Sequence, residues 1–188
     1  MTVLTDDLRS DLLRRWSEPH RRHHDVVHLG EVLDAVDLLA RDGALFDREP
    51  VELAVWFHDA VYEIGRVDNE RQSAELAREL LPASIGDEVA RLVVLTETHR
   101  VEPDDANGAV LSDADLAVLG ASADRYVRYV DAVREEYASI PDEVFRRERA
   151  RVLGALLEQA ELFHTPAGRA RWEAAARRNV ESELRRLV

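Results

Sequence analysis

Residues 50–62 read PVELAVWFHDAVY. Proline suits the first turn of a helix, where its missing N–H has no partner to lose. The near-continuous apolar character that follows predicts a helix buried at the centre of the molecule. His58 and Asp59 fall near its C-terminal end, flanked by Trp56, Phe57, Ala60 and Val61. An aspartate buried in such company needs a partner for its charge, and a cation is the simplest one.

Outward from this segment the dominant period is helical, and strand signals are nearly absent. Leu4, Leu8, Leu12 and Leu13 form a first amphipathic stripe over about residues 3–17, closed by Glu18-Pro19. A second helix spans about Asp25–Asp42, with Val32, Val36 and Leu39 on its apolar face and Gly43 as C-cap. Asp68 is placed to cap a fourth helix through about Leu81, and Asp87 to open a fifth that ends near His99. VEPDDANG, residues 101–108, reads as a loop. Ser112 or Asp113 then caps a short helix to Gly120, Ser122 caps one to Ala138, Pro141 opens the eighth, and Thr165-Pro166 begins the last. The expectation is an all-α bundle of about nine helices. The whole chain, 1–188, forms one domain in which the C-terminal helices (about 141–188) pack on the core.

Composition narrows the chemistry. All 25 basic residues are Arg, so lysine Schiff bases and Walker-type phosphate loops are excluded. There is no Cys, which removes disulfides, thiolate nucleophiles and thiolate metal sites and leaves His, Asp and Glu as ligands. A net charge of -13 repels a polyanionic backbone and argues against non-specific nucleic-acid binding. MTVLTDDLRSDLLRRW at the N-terminus lacks an apolar signal core, and no run approaches a membrane span. The expectation is a cytoplasmic protein without a membrane partner.

The spacing of His and Asp carries the functional argument. His24 and His28 are four residues apart and share one helical face if both are helical. The adjacent His58-Asp59 can both reach one ion only at a helix end, since neighbours on a helix point about 100 degrees apart. Asp113 and Asp115 follow on a later segment. Singly, each has an ordinary reading: His28 as a hydrogen-bonded core residue, Asp113 as a cap, Asp115 as a first-turn carboxylate. As a set on consecutive apolar helices they point to a divalent metal ion (Mn, Fe, Co, Ni, Zn or Mg), for which imidazole and carboxylate are suitable ligands.

At these residues the chain resembles the HD superfamily of metal-dependent phosphohydrolases, whose order is His, His-Asp, then a distal Asp on an all-helical core. Here that order reads His28, His58-Asp59, Asp115. HHDVVH at 23–28 is similar to the YHNxxH signature of the related cyclic-nucleotide phosphodiesterases, with His23 in place of Tyr and Asp25 in place of Asn. ADLA at 114–117 is similar to their ADLS. The resemblance implies that His24 is the general acid, that His28 is a ligand, and that Asp115 is the distal ligand with Asp113 as runner-up. Over nearly its whole length the chain also resembles small bacterial proteins described as predicted HD-superfamily phosphohydrolases. The matching pieces are WFHDAVYE, NERQSA, LSDADLAVLG, VREEY and ARRNVESEL.

Further residues are candidates around that centre. Glu63 and Glu70 can orient an attacking water or bind a second ion, their plain readings being loop charge and helix first turn. His99 is a candidate for a second metal site, and Arg66 and Arg100 for clamping a phosphate. RRERAR at 146–151 reads as a salt-bridged exposed face, and Tyr126, Tyr129 and Tyr137 as packing. The expected activity is hydrolysis of a phosphate ester or anhydride in a small nucleotide-like molecule. A non-catalytic metal- or nucleotide-binding sensor with an HD fold is the alternative, and a homodimer is left open.

Overall fold

The computed structural model describes residues 3–187. Among them there is no strand. Nine helices follow in order: α1 (Asp6–Trp16), α2 (Val26–Arg41), α3 (Arg48–Phe57), α4 (Asn69–Leu80), α5 (Ala83–Leu95), α6 (Ala106–Asp115), α7 (Ala123–Glu136), α8 (Asp142–Leu157) and α9. The last is one helical run of Pro166–Gly168, a π segment Arg169–Glu173 and Ala174–Leu187. A 3-10 helix, Leu116–Gly120, continues α6. The all-α expectation is met, and among the described residues no helix is long and apolar enough to cross a membrane.

The caps explain most boundaries. Asp25 accepts the backbone N–H of Val27 at 2.8 Å and of His28 at 3.3 Å, so α2 starts just after the HH pair. Gly43, at φ 92°, closes α2 in a Schellman turn: its N–H reaches Ala40 O, and that of Ala44 reaches Leu39 O. Three starts differ from the sequence reading. α3 begins at Arg48, two residues before Pro50, because proline is tolerated anywhere in the first turn. α5 opens at Ala83 directly after Pro82, not at Asp87. α6 opens at Ala106 inside the expected loop, since Asp105 caps it by accepting the Gly108 N–H at 2.9 Å. Ser112 and Asp113 are therefore interior to a helix and cap none of their own. Asp68 stands at the start of α4, but its carboxylate turns to Arg66 and Gln72 instead of the helix N-terminus.

The segment AVWFHDA is buried throughout, and α3 packs against α2, α4, α5 and α6. This is the centre of a first apolar cluster that runs from Leu12 and Trp16 to Leu111 and Ala114. A second cluster holds Leu119, Tyr126, Tyr129, Leu153, Phe163 and Val180, from the C-terminal helices. Trp172 packs against both. Asp113 adds a polar tie: buried, it accepts the N–H groups of His164 and Thr165, at 2.6 and 2.8 Å, and the Thr165 hydroxyl at 2.6 Å. It thereby pins the entry of α9 to α6. With its oxygens turned to this segment, Asp113 is not among the convergent ligand atoms, which corrects its candidacy as a metal ligand.

At the joint between the clusters, Gly120 faces α9 so closely that a Cβ there would meet Trp172 Cβ at 2.5 Å and its Cα at 2.8 Å. Backbone cannot yield as a flexible side chain does. Gly120→Ala is expected to destabilise the protein by about 1–3 kcal/mol, the range for overpacking a filled site. Urea unfolding measures this, and wild-type stability in the variant would show that the two clusters are less tightly joined.

Candidate metal centre

α3 stops at Phe57, so His58 occupies its C-cap and Asp59 follows in a turn. That break solves the geometric problem of two adjacent ligands, because Asp59 is no longer bound to the helical direction. His58 Nδ1 donates to Val55 O at 2.8 Å. In the neutral ring this leaves Nε2 as a lone pair facing inward. Trp16 lies against the His58 ring at 5.2 Å between centroids, and its indole N–H is taken by Trp56 O.

Three side chains converge on that lone pair. His28 Nε2 lies 3.4 Å from His58 Nε2 and 3.1 Å from Asp115 Oδ1, while His58 Nε2 lies 3.6 Å from the same oxygen and 3.2 Å from Asp59 Oδ2. Asp59 Oδ2 is 4.0 Å from His28 Nε2. Ligands about 2.1 Å from a common centre stand about 3.0 to 3.4 Å apart in octahedral or tetrahedral arrangement. Three of the observed spacings, 3.1, 3.2 and 3.4 Å, fall in that range, and the other two, 3.6 and 4.0 Å, are longer. His28, His58 and Asp115 offer donor atoms all within 4.8 Å of one another, and these residues can hold a metal ion.

The electrostatics agree. Burial disfavours charge on His58, yet the Asp59 and Asp115 carboxylates outweigh it and push the ring up to about 9. Against the same cost of burial, the imidazoles hold Asp59 and Asp115 well below the usual carboxylate range. The cluster thus demands positive charge at its centre. His28 Nδ1, on the far side of its ring, is buried with no hydrogen-bond partner among the described residues.

The cluster opens on a cavity of about 480 Å³ lined by five of the chain's seven histidines: His23, His24, His28, His58 and His99. Glu70, Arg100 and Asp115 line it too. His99 sits at φ 52°, a left-handed conformation that costs a non-glycine residue about 1–2 kcal/mol. It is held there by His164, whose Nε2 donates to His99 O at 3.1 Å, and its own Nε2 lies 3.5 Å from Asp115 Oδ2. Burial lowers its basicity, and burial likewise raises the Glu70 carboxyl. Two expected residues are elsewhere. Glu63 is exposed and paired with Arg66 at 3.1 Å, and Arg66 is held by Asp68 at 2.6 Å; neither lines the cavity.

His24 is not helical. It lies in the turn before α2, and its position is set by a residue that the sequence reading left unassigned. Glu136, at the end of α7, has a fully buried carboxylate. One oxygen accepts the backbone N–H groups of Arg22, His23 and His24 at 2.9, 3.2 and 3.2 Å. The other meets His24 Nδ1 at 2.6 Å and accepts the Tyr62 hydroxyl at 3.0 Å. The His24 ring also stacks on Tyr62, 4.4 Å between centroids. Burial opposes charge on His24, but the Asp59 field and the Glu136 hydrogen bond prevail, so its basicity is raised. Glu136 in turn is pulled down to about 2 by His24 and the backbone donors, against its own burial.

Arg21 is a second unassigned residue. Buried between the Trp16 and Tyr62 rings, it donates from one nitrogen to both His24 O and Asp59 O, at 2.9 and 2.8 Å. It fixes the two site turns to each other. The signal for Glu136 was present in the sequence: it shares a helical face with Tyr129 and Val133, seven and three residues earlier, so it belongs to an apolar stripe. A carboxylate on such a stripe needs a partner.

The Glu136 carboxyl is depressed from an ordinary 4.5 to about 2. A lowered value contributes stability above pH 4.5 and loses it as pH falls toward 2. Glu136→Gln is therefore expected to lose about 3 kcal/mol at pH 7, with the gap to wild type closing below about pH 4.5. Denaturant unfolding at several pH values reads this, and a pH-independent gap would contradict it. No family model, curated protein or solved structure matches the chain.

Proposed function

We propose that the protein is a metal-dependent phosphohydrolase acting on a small phosphorylated, nucleotide-like molecule. The observation that carries this reading is the convergence of His28, His58, Asp59 and Asp115 on one point at the wall of a cavity. Those four would hold a divalent ion. When bound, such an ion lowers the pKa of a water and draws charge from a phosphoryl oxygen.

The remaining chemistry belongs to the chain. Water attacks phosphorus and the bond to the leaving oxygen breaks; the water must lose a proton and the leaving oxygen must gain one. Glu70, whose carboxyl is raised by burial and which lines the cavity, is the acceptor of the first proton. His24 is the donor of the second. Its Nδ1 is occupied by Glu136, which leaves Nε2 for the substrate, and the adjacent carboxylates raise the basicity of the ring. Arg100 lines the same cavity, and its guanidinium would hold a phosphate of the substrate. His99, beside Asp115, is placed to join a second ion.

Elemental analysis of protein purified without chelator is expected to find stoichiometric metal, or to find it after loading with manganese. Phosphate release from a nucleotide panel then tests turnover. His58→Ala and Asp59→Ala should lose both metal and turnover. His24→Ala should keep the metal and lose about 10²–10⁴ in rate, the usual contribution of general acid catalysis. Metal without turnover across the panel would favour a ligand-binding sensor, and absence of metal after loading would overturn the reading.

A further inference from the structure

The cavity has a second wall, and it is built differently from the rest of the fold. α8 buries a single side chain, Leu153, and packs chiefly on α9. It is tied there by Arg149, which pairs with Glu183 at 2.8 Å and donates to the Tyr129 hydroxyl at 2.9 Å. Of the stretch expected to be an exposed face, Arg149 is therefore largely buried, and both Arg149 and Arg151 line the cavity. So do Val152 and Leu156, and Val152 is 44 % exposed. A helix that offers so little to the core, yet presents charge and apolar surface to a cavity beside the ligand cluster, is suited to holding a ligand.

Two cations on this side are available. The Arg100 guanidinium makes no hydrogen bond or ion pair among the described residues; only its backbone N–H is engaged, by the Thr98 hydroxyl. The left-handed turn at His99 sets the course of the chain into Arg100, and both residues line the cavity. Arg151 is paired only with Glu148 at 3.1 Å, with the two side chains 70 % and 49 % exposed, an arrangement worth little in water. The acidic residue nearest in sequence on the same wall, Glu97, is already engaged by Arg71. In a chain with a net charge of -13 the overall field repels anions, so a small anion must be captured by local guanidinium groups.

A cavity of 480 Å³ equals a sphere about 10 Å across, so a compact ligand can reach both the ligand cluster and these arginines. We infer that Arg100 and Arg151 form a second anion subsite, and that the substrate carries a non-reacting phosphate or carboxylate besides the phosphoryl group that is cleaved. Val152 and Leu156 cover the body between the two. The inference rests on the phosphohydrolase reading for which group reacts, but the subsite itself is independent of the metal.

It is tested on metal-free protein by calorimetric titration with inorganic pyrophosphate. The variants are Arg100→Ala, Arg151→Ala and the double variant, with Arg147→Ala as a control that lies on α8 but does not line the cavity. All three positions are exposed, and circular dichroism checks folding. Wild type and Arg147→Ala are expected to bind one pyrophosphate alike, each single variant to bind about ten-fold more weakly, and the double variant to weaken further. Equal binding by wild type and the double variant, or no binding by wild type, overturns the subsite. Failure of the hydrolase reading shows separately, as absence of metal or turnover in the loaded protein.

Discussion

Two imidazoles and two carboxylates meeting at the wall of a cavity are the constraint around which the molecule is organised. His58 is 1 % exposed and His28 3 %, and their facing nitrogens are 3.4 Å apart. Nitrogens and carboxylate oxygens this close together are suited to a positive charge between them, carried by protons or by a cation. The helix that carries half of the set must be central enough to bury the ligands and must end where it does, so that Asp59 can turn toward the same point. The apolar run before His58 meets the first demand, and the chain's departure from the helix after Phe57 meets the second.

The rest of the fold supplies position. Arg21 ties the turn bearing His24 to the turn bearing Asp59, and Glu136 holds the first of these turns by three backbone N–H groups as well as by the imidazole. Glu136 comes from α7, and Asp113 fastens α6 to the start of α9. The C-terminal helices are thus not an appendage to a metal-binding core. They orient the proposed acid and, through α8, close the other side of the cavity. A division of labour follows, with the proposed ligands on α2, at the end of α3 and on α6, and the support of the proposed acid on α7. Arginines facing the cavity come from α8 and the turn after α5.

Much of this was legible in the sequence because it rests on local rules. The apolar run of α3, the start of α2 near Asp25 and the Gly43 stop all rest on a few residues, and the order His28, His58-Asp59, Asp115 survives as one cluster. What was not legible depends on contacts between distant segments. Asn107 and Gly108 fall in the segment read as a loop, but Gly108 is interior to α6 and packs closely against the Leu95 and Asp105 side chains. Asp113 resembles a helix cap or a ligand by spacing, and only the position of His164 and Thr165, some fifty residues on, gives it its role. Glu136 was hidden because its five donors come from Arg22, His23, His24 and Tyr62, more than seventy residues away. Arg151 was hidden because alternating charge on α8 looks the same whether it faces solvent or a cavity.

The most direct test of the central claim is anomalous X-ray diffraction from crystals of the manganese-loaded protein, measured on both sides of the manganese absorption edge. The account predicts a peak enclosed by His28, His58, Asp59 and Asp115, with ligand distances of about 2.0–2.3 Å. A fully loaded crystal with no peak among these four residues, or with its peak elsewhere, would contradict it and return them to a buried hydrogen-bonding role.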